Sequence, residues 1–268
     1  MDKQYWRRQR PAAELAPWVS DIIGYAENGI RLTGAIETAS LVVPLVISFG
    51  APFAIALGRP PVPTERFGSF TSGLFAGHVV IDSTGASACV QVNFTPLGAF
   101  RFFGVPVGEL CGRMVPLEDM SDAGLGELRR RLEDTADWNQ RLKLAEAFIA
   151  ARLRRAPAEH PATAAAFRTL CAGYGEVPVA TVAARVGWSR KQLAQRFRDE
   201  VGLPPKAVAR ILRFNRLLAL AGSGEANGWA DLAAACGYAD QPHLSREFAA
   251  LGGITPARWL AGAQSGRG

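Results

Sequence analysis

The sequence predicts an α+β protein: a β-rich N-terminal half, two following helices, and an all-α C-terminal domain with two helix-turn-helix units. Three features of the 268 residues lead there. Short runs rich in Val, Ile and Phe, punctuated by Gly, Pro and Ser, fill residues 1 to about 120. From Ser121 the apolar spacing changes to a helical period. In the last third, one pattern occurs twice at a fixed offset, the mark of a repeated supersecondary unit.

The β half is read from Leu41–Phe49, Phe53–Leu57, His78–Asp82 and Ala88–Phe94. In Cys89-Val-Gln-Val-Asn-Phe94, polar Gln91 and Asn93 alternate with apolar neighbours, as on a half-buried strand. Such a run of strands suits a sandwich or a small barrel. Gly58-Arg-Pro-Pro-Val-Pro63 reads as a surface loop. Thr38 to Gly58 carries no charge and is long enough to cross a bilayer, but Pro44, Gly50 and Pro52 interrupt it. A proline inside a helix costs roughly 3 kcal/mol, so two strands around a turn at Gly50–Pro52 are expected, and no membrane partner. The first ten residues are polar and lack the apolar core of a signal peptide. Reduced thiols and a cytoplasmic location are expected, because Cys89, Cys111, Cys171 and Cys236 are scattered and form no CxxC. The three histidines are equally scattered; no metal and no cofactor is expected.

Leu125, Leu128 and Leu132 share one helical face; Trp138, Leu142, Ala145, Phe148, Ile149 and Leu153 share another. Ser121 and Asp137 are the expected caps. These helices are candidates for a homodimer interface. Ala156-Pro-Ala-Glu-His-Pro161 reads as the linker, dividing the chain into 1–156 and 157–268. The division also separates charge: 17 Lys+Arg against 16 Asp+Glu in the first part, 13 against 8 in the second. A basic C-terminal part fits a nucleic-acid partner.

In the repeat, Val182, Ala183, Ala184, Gly187 and Trp188 correspond to Leu232, Ala233, Ala234, Gly237 and Tyr238 at an offset of 50. Leu193 and Phe197 correspond to Leu244 and Phe248 at 51, so the second turn has gained one residue. Gly187 and Gly237 stand where a left-handed backbone begins the turn, and the small alanines let two helices approach. Leu193/Phe197 and Leu244/Phe248 face the core. The opposite faces are polar: Arg190, Lys191, Ala194, Gln195 and Arg198 in the first unit; Asp240, Gln241, Pro242, His243, Ser245 and Arg246 in the second. Arg and Lys can pair with guanine, Gln with adenine, and Ala or Pro can meet a thymine methyl. Ser189 is placed to cap the first reading helix and present its start to the major groove. Arg210, Arg213 and Arg216 on the connecting helix are candidates for phosphate contacts.

At these residues Val177 to Leu260 resembles the DNA-binding domain of AraC/XylS-type transcription regulators. Cys236-Gly-Tyr-Ala-Asp-Gln-Pro-His-Leu-Ser-Arg-Glu-Phe248, followed by Gly253-Ile-Thr-Pro256, carries the likeness most closely, and Phe197 with Gly202-Leu-Pro204 fits as well. The resemblance implies two units on one face of double-stranded DNA, joined by a long helix and reading adjacent major grooves. It departs at Trp229, at Ala239 where a capping Ser is usual (leaving Asp240 to cap), and at Gly252-Gly253. Val90–Phe100, Phe103–Pro106 and Val115–Asp119 are similar to sensor domains attached to some of these regulators. That implies a cupin-like β fold without the usual metal histidines, a small-molecule effector, a homodimer and contact with RNA polymerase.

No Gly-x-Ser-x-Gly, HExxH or P-loop occurs, so no enzyme is expected. Two alternatives remain: a DNA-binding protein acting without effector or sequence preference, and a cysteine-dependent enzyme fused to a DNA-binding domain. The second would need an activated thiol, and Cys111 beside Arg113 is its candidate.

Overall fold

The computed structural model describes residues 5–223 and 228–265, with the side chains of 263–265 left out. Its first half holds strands β1 (Tyr5–Gln9), β2 (Val19–Ala26), β3 (Ala35–Glu37), β4 (Val43–Ser48), β5 (Phe53–Leu57), β6 (Arg66–Phe67), β7 (Phe70–Ser72), β8 (Val79–Asp82) and β9 (Ala88–Phe94). Helix α1 (Pro96–Phe103), a 3-10 turn at Val107–Leu110 and β10 (Met114–Pro116) come next. All strand pairings are antiparallel. One sheet runs β1-β2-β9-β4-β7-β10 and the other β3-β8-β5-β6.

The two sheets lie face to face, and the strand period decides what lies on each side of the larger one. Val46, Phe70 and Cys89 point toward Phe53 and Ile55 of the smaller sheet. The alternate residues Ile22, Leu45, Ile47, Val90, Val92 and Phe94 point the other way, into a helical layer. That layer contains α1, α2 (Ala123–Asp134) and α3 (Trp138–Leu153). The charge-free Thr38–Gly58 stretch is β4 and β5, and its turn carries the chain from one sheet to the other. Among the described residues no helix is long and apolar enough to cross a membrane.

Several elements were not legible from apolar runs. β1 is Tyr-Trp-Arg-Arg-Gln, a charged edge strand. β2 contains Asp21, which is buried but accepts from Arg8 and from Asn93 Nδ2 (2.6 Å). α1 did carry a sequence signal: Thr95 Oγ1 accepts from Gly98 N (3.1 Å), Pro96 opens the helix, and Gly104 ends it at φ 68°. α2 is capped by Asp122, not by Ser121. The Asp122 carboxylate accepts from Gly124 N and Leu125 N, while Ser121 takes a left-handed conformation. Asp137 caps α3 as expected. The leucines of α2 and Leu142, Ala145, Ile149 and Leu153 of α3 are buried within the protomer, while Trp138 and Phe148 of the same stripe are half-buried.

The second half is helical: α4 (Pro161–Ala172), α5 (Val179–Arg185), α6 (Arg190–Glu200), α7 (Pro205–Ser223), α8 (Trp229–Ala235), α9 (Gln241–Gly252) and α10 (Pro256–Ser265). The segment between α3 and α4 is irregular but tied down. Arg101 pairs with Glu159 at 3.8 Å, and His160 N donates to Glu200 (2.8 Å). One apolar core runs from Leu15 through α1–α3 into α4–α6 and the start of α7. A second core, around Phe214 and Phe248, belongs to the last four helices and also takes in Ala39.

Candidate nucleic-acid interface

The two turns are closed by the same hydrogen bonds at an offset of 50. Gly187 N and Trp188 N donate to Ala184 O and Ala183 O (3.1 and 3.0 Å); Gly237 N and Tyr238 N donate to Ala234 O and Ala233 O (3.3 and 2.9 Å). Both glycines are left-handed, at φ 71° and 68°. The inserted residue is Ala239, which displaces the cap from the position of Ser189 to Asp240.

In α6, Ser189 Oγ accepts from Gln192 N (3.2 Å) and Gln192 Oε1 accepts from Ser189 N (2.9 Å), a reciprocal capping box. Ser189 is thereby spent on the helix start. Leu193 and Phe197 are fully buried, which turns Arg190, Lys191, Gln195 and Arg198 outward, with Ala194 half-buried between them. Gln195 Nε2 donates to Asp199 (3.0 Å). Arg190, Lys191 and Arg198 have no side-chain partner among the described residues.

In α9, Asp240 Oδ1 accepts from His243 N (2.6 Å), so Asp240 does cap. His243 turns back on the turn: Nδ1 accepts from Ala239 N (3.3 Å), and its ring meets Tyr238 edge-on at 5.5 Å. Gln241, Pro242 and Arg246 are exposed and Ser245 is half-buried. Trp229 is absorbed into the core, 5.8 Å from the Phe248 ring. Gly252-Gly253 gives a tight helix end, with Gly253 at φ 70° donating to Ala249 O (3.0 Å).

The arginines of α7 are occupied inside the domain, which argues against their use as phosphate contacts. Arg210 is bidentate to Glu247 of α9 (2.7 and 2.9 Å). Arg213 donates to Gly175 O (3.1 Å), and Arg216 pairs with Glu176 over the Tyr174 ring. Exposed cations with no side-chain partner among the described residues that flank the reading helices in sequence are Arg185, Lys206 and Arg258, which face patterning alone did not single out. The Arg210 guanidinium holds the Glu247 carboxyl below the ordinary carboxylate range. A carboxylate lowered on folding adds stability above its ordinary pKa, and that stability is lost as pH falls through the folded value. Arg210→Met is therefore expected to cost about 1–3 kcal/mol at neutral pH. It should also flatten the acid limb of a Tm-against-pH curve relative to wild type.

The β half touches both units. Gly202, at φ 101°, packs on Cys111, whose Sγ donates to Gly202 O (3.1 Å). Gly108 lies against the Arg198 carbonyl. Ala39 N donates to Leu251 O (2.8 Å), and the His78 ring sits against Gly253. Burial pushes the Cys111 thiol up to about 11 and Cys89 to about 12, opposite to the activation that a cysteine-dependent enzyme would need. Between the sheets, two adjoining cavities of about 300 and 200 Å³ open; nothing in the sequence pointed to their lining. Among the described residues no cluster of His, Cys, Asp and Glu could hold a metal ion.

Two N-capped helices, each after the same glycine turn and tied to one long helix, define a double helix-turn-helix DNA-binding domain. Residues 182–262 match the family described as "Helix-turn-helix domain", and this part of the chain is a helix-turn-helix domain. No curated protein matches the chain. Among solved structures, it is similar to ToxT from Vibrio cholerae at 10% identity, covering 86% of this chain and 95% of that one, with a TM-score of 0.47. ToxT from Vibrio cholerae O395 bound to (E)-4-(8-methylnaphthalen-1-yl)but-3-enoic acid is similar at 12% identity, covering 88% and 98%, with a TM-score of 0.46. The AraC-like transcriptional activator CuxR is similar at 13% identity, covering 81% and 95%, with a TM-score of 0.26.

Proposed function

We propose that the chain is a one-component regulator that reads two short blocks of double-stranded DNA under the control of a small molecule held between its β-sheets. The single observation carrying the DNA reading is the pair of outward, N-capped helix starts. Arg190 and Lys191 on one and Gln241 and Arg246 on the other have no side-chain partner among the described residues. Base contacts are assigned to Arg190, Lys191, Ala194, Gln195, Arg198, Gln241, Pro242, Ser245 and Arg246. Asp240, His243 and Ser189 mainly hold the helix starts. Residues 1–156 sense and 157–268 bind. A second copy of the chain and RNA polymerase are its partners on DNA.

Effector control is supported by where the cavity wall leads. Thr38, Ala39 and Ser40 line the larger cavity, and Ala39 also donates to the carbonyl of Leu251 in the second unit. A ligand that shifts this wall acts on α9 directly.

Selection from random DNA at two salt concentrations tests the reading. The expected product is a motif of two blocks about 10 base pairs apart. Recovery of no motif, with binding that fades uniformly as salt rises, refutes it. On the selected site Arg190→Ala should cost ~1–3 kcal/mol and on random DNA far less, measured by fluorescence anisotropy.

A further inference from the structure

We propose that the cavity between the sheets binds a ligand with a cationic ammonium-type head on an apolar body, held by Glu37. The inference rests on the effector reading and adds the chemistry of the ligand.

Glu37 ends β3 and lines both cavities, as do Trp6, Ile23 and Gln91, so the two chambers meet at its carboxylate. Glu37 is an exposed residue, with protein crowded around its carboxylate. No hydrogen bond or ion pair reaches its carboxylate among the described residues. The other charged residue in the wall, Arg8, is paired with buried Asp21, which Asn93 also holds. Glu37 is therefore the uncompensated charge of this space. The crowding raises its pKa, and a cation beside the carboxylate would favour the anion.

The rest of the wall fits the body of such a ligand. The smaller chamber is lined by Ile23, Val46, Phe53, Ile55 and Phe70. Trp6 stands in the wall of both chambers with 60% of its surface exposed and no ring partner among the described residues, an unusual state for so large an apolar group. An indole beside a carboxylate attracts a cation by its ring face as well as by charge. A carboxylate ligand would meet repulsion at Glu37 and find no free cation in the lining. A neutral ligand would leave the carboxylate uncompensated.

The test uses the full chain and three probes that share a phenylethyl body: 2-phenylethylammonium, 3-phenylpropanamide and 3-phenylpropanoate. Calorimetry and Trp fluorescence should show that the ammonium probe binds, the amide binds more weakly and the carboxylate does not bind. Glu37→Gln should weaken the ammonium probe by about tenfold or more without lowering Tm, because it removes an unpaired charge. Equal binding of the ammonium and carboxylate probes, no binding of the ammonium probe, or unchanged affinity in Glu37→Gln overturns the proposal. DNA affinity is read in parallel. Glu37-dependent ammonium binding with unaltered DNA affinity leaves the ligand class standing and refutes effector control. A DNA response to the amide or carboxylate probe that persists in Glu37→Gln does the reverse.

Discussion

Phe248→Ala is expected to cost about 3–5 kcal/mol of folding stability, because the ring is fully buried and its removal leaves a cavity. Phe214 meets it edge-on at 5.3 Å, Trp229 at 5.8 Å and Trp259 at 6.1 Å. One side chain thus holds α7, α8, α9 and α10 together, and its loss should disorder the second unit before the first. Hydrogen exchange should show protection falling across 229–260 while Leu193 and Phe197 remain protected. Uniform loss across both units would mean that the two apolar cores are not separable. On DNA, the variant should retain the block read by α6 and lose selectivity at the other.

Gly175→Ala is expected to be far more damaging than Gly187→Ala, although both glycines are left-handed. Gly175 sits at φ 77° between α4 and α5, and an added Cβ would lie 2.2 Å from the Ala209 carbonyl oxygen. The backbone of α7 must then move, which also disturbs the Arg213 bond to Gly175 O. A cost above about 3 kcal/mol is expected, from left-handed strain and overpacking together. Gly187 has nothing near its Cβ position, so its alanine variant should cost only about 1 kcal/mol of conformational strain. Chemical denaturation of the two variants measures the difference. Equal losses would mean that strain alone sets the cost.

The repeat was legible because its turn, cap and core are fixed by residues close in sequence. Gly187, Ser189, Leu193 and Phe197 specify one unit within about four turns of helix, and Asp240 could be recognised as a cap once Ala239 was seen to lack a hydroxyl. The reading faces came from the same period. The features that were not legible depend on distant partners. Arg210 looked like a free cation on a helix surface because Glu247 lies 37 positions away. Asp21 hid β2 because the groups that neutralise it come from β1 and β9. Glu37, in a three-residue strand, is ordinary until two sheets close around it.

The unequal division of the two cores has a consequence for building chimeras. The proline-rich stretch before α4 looks like the place to exchange one β body for another. A cut there passes through a single apolar core, stripping Val107 and Cys111 from Val201 and Gly202. The real seam falls inside α7, between Ala209, which belongs to the first core, and Ile211, which belongs to the second. A graft joined there keeps the first core whole by carrying the first reading unit with the β body, and its new second unit must still accept the Ala39 and His78 contacts of that body, within one continuous helix.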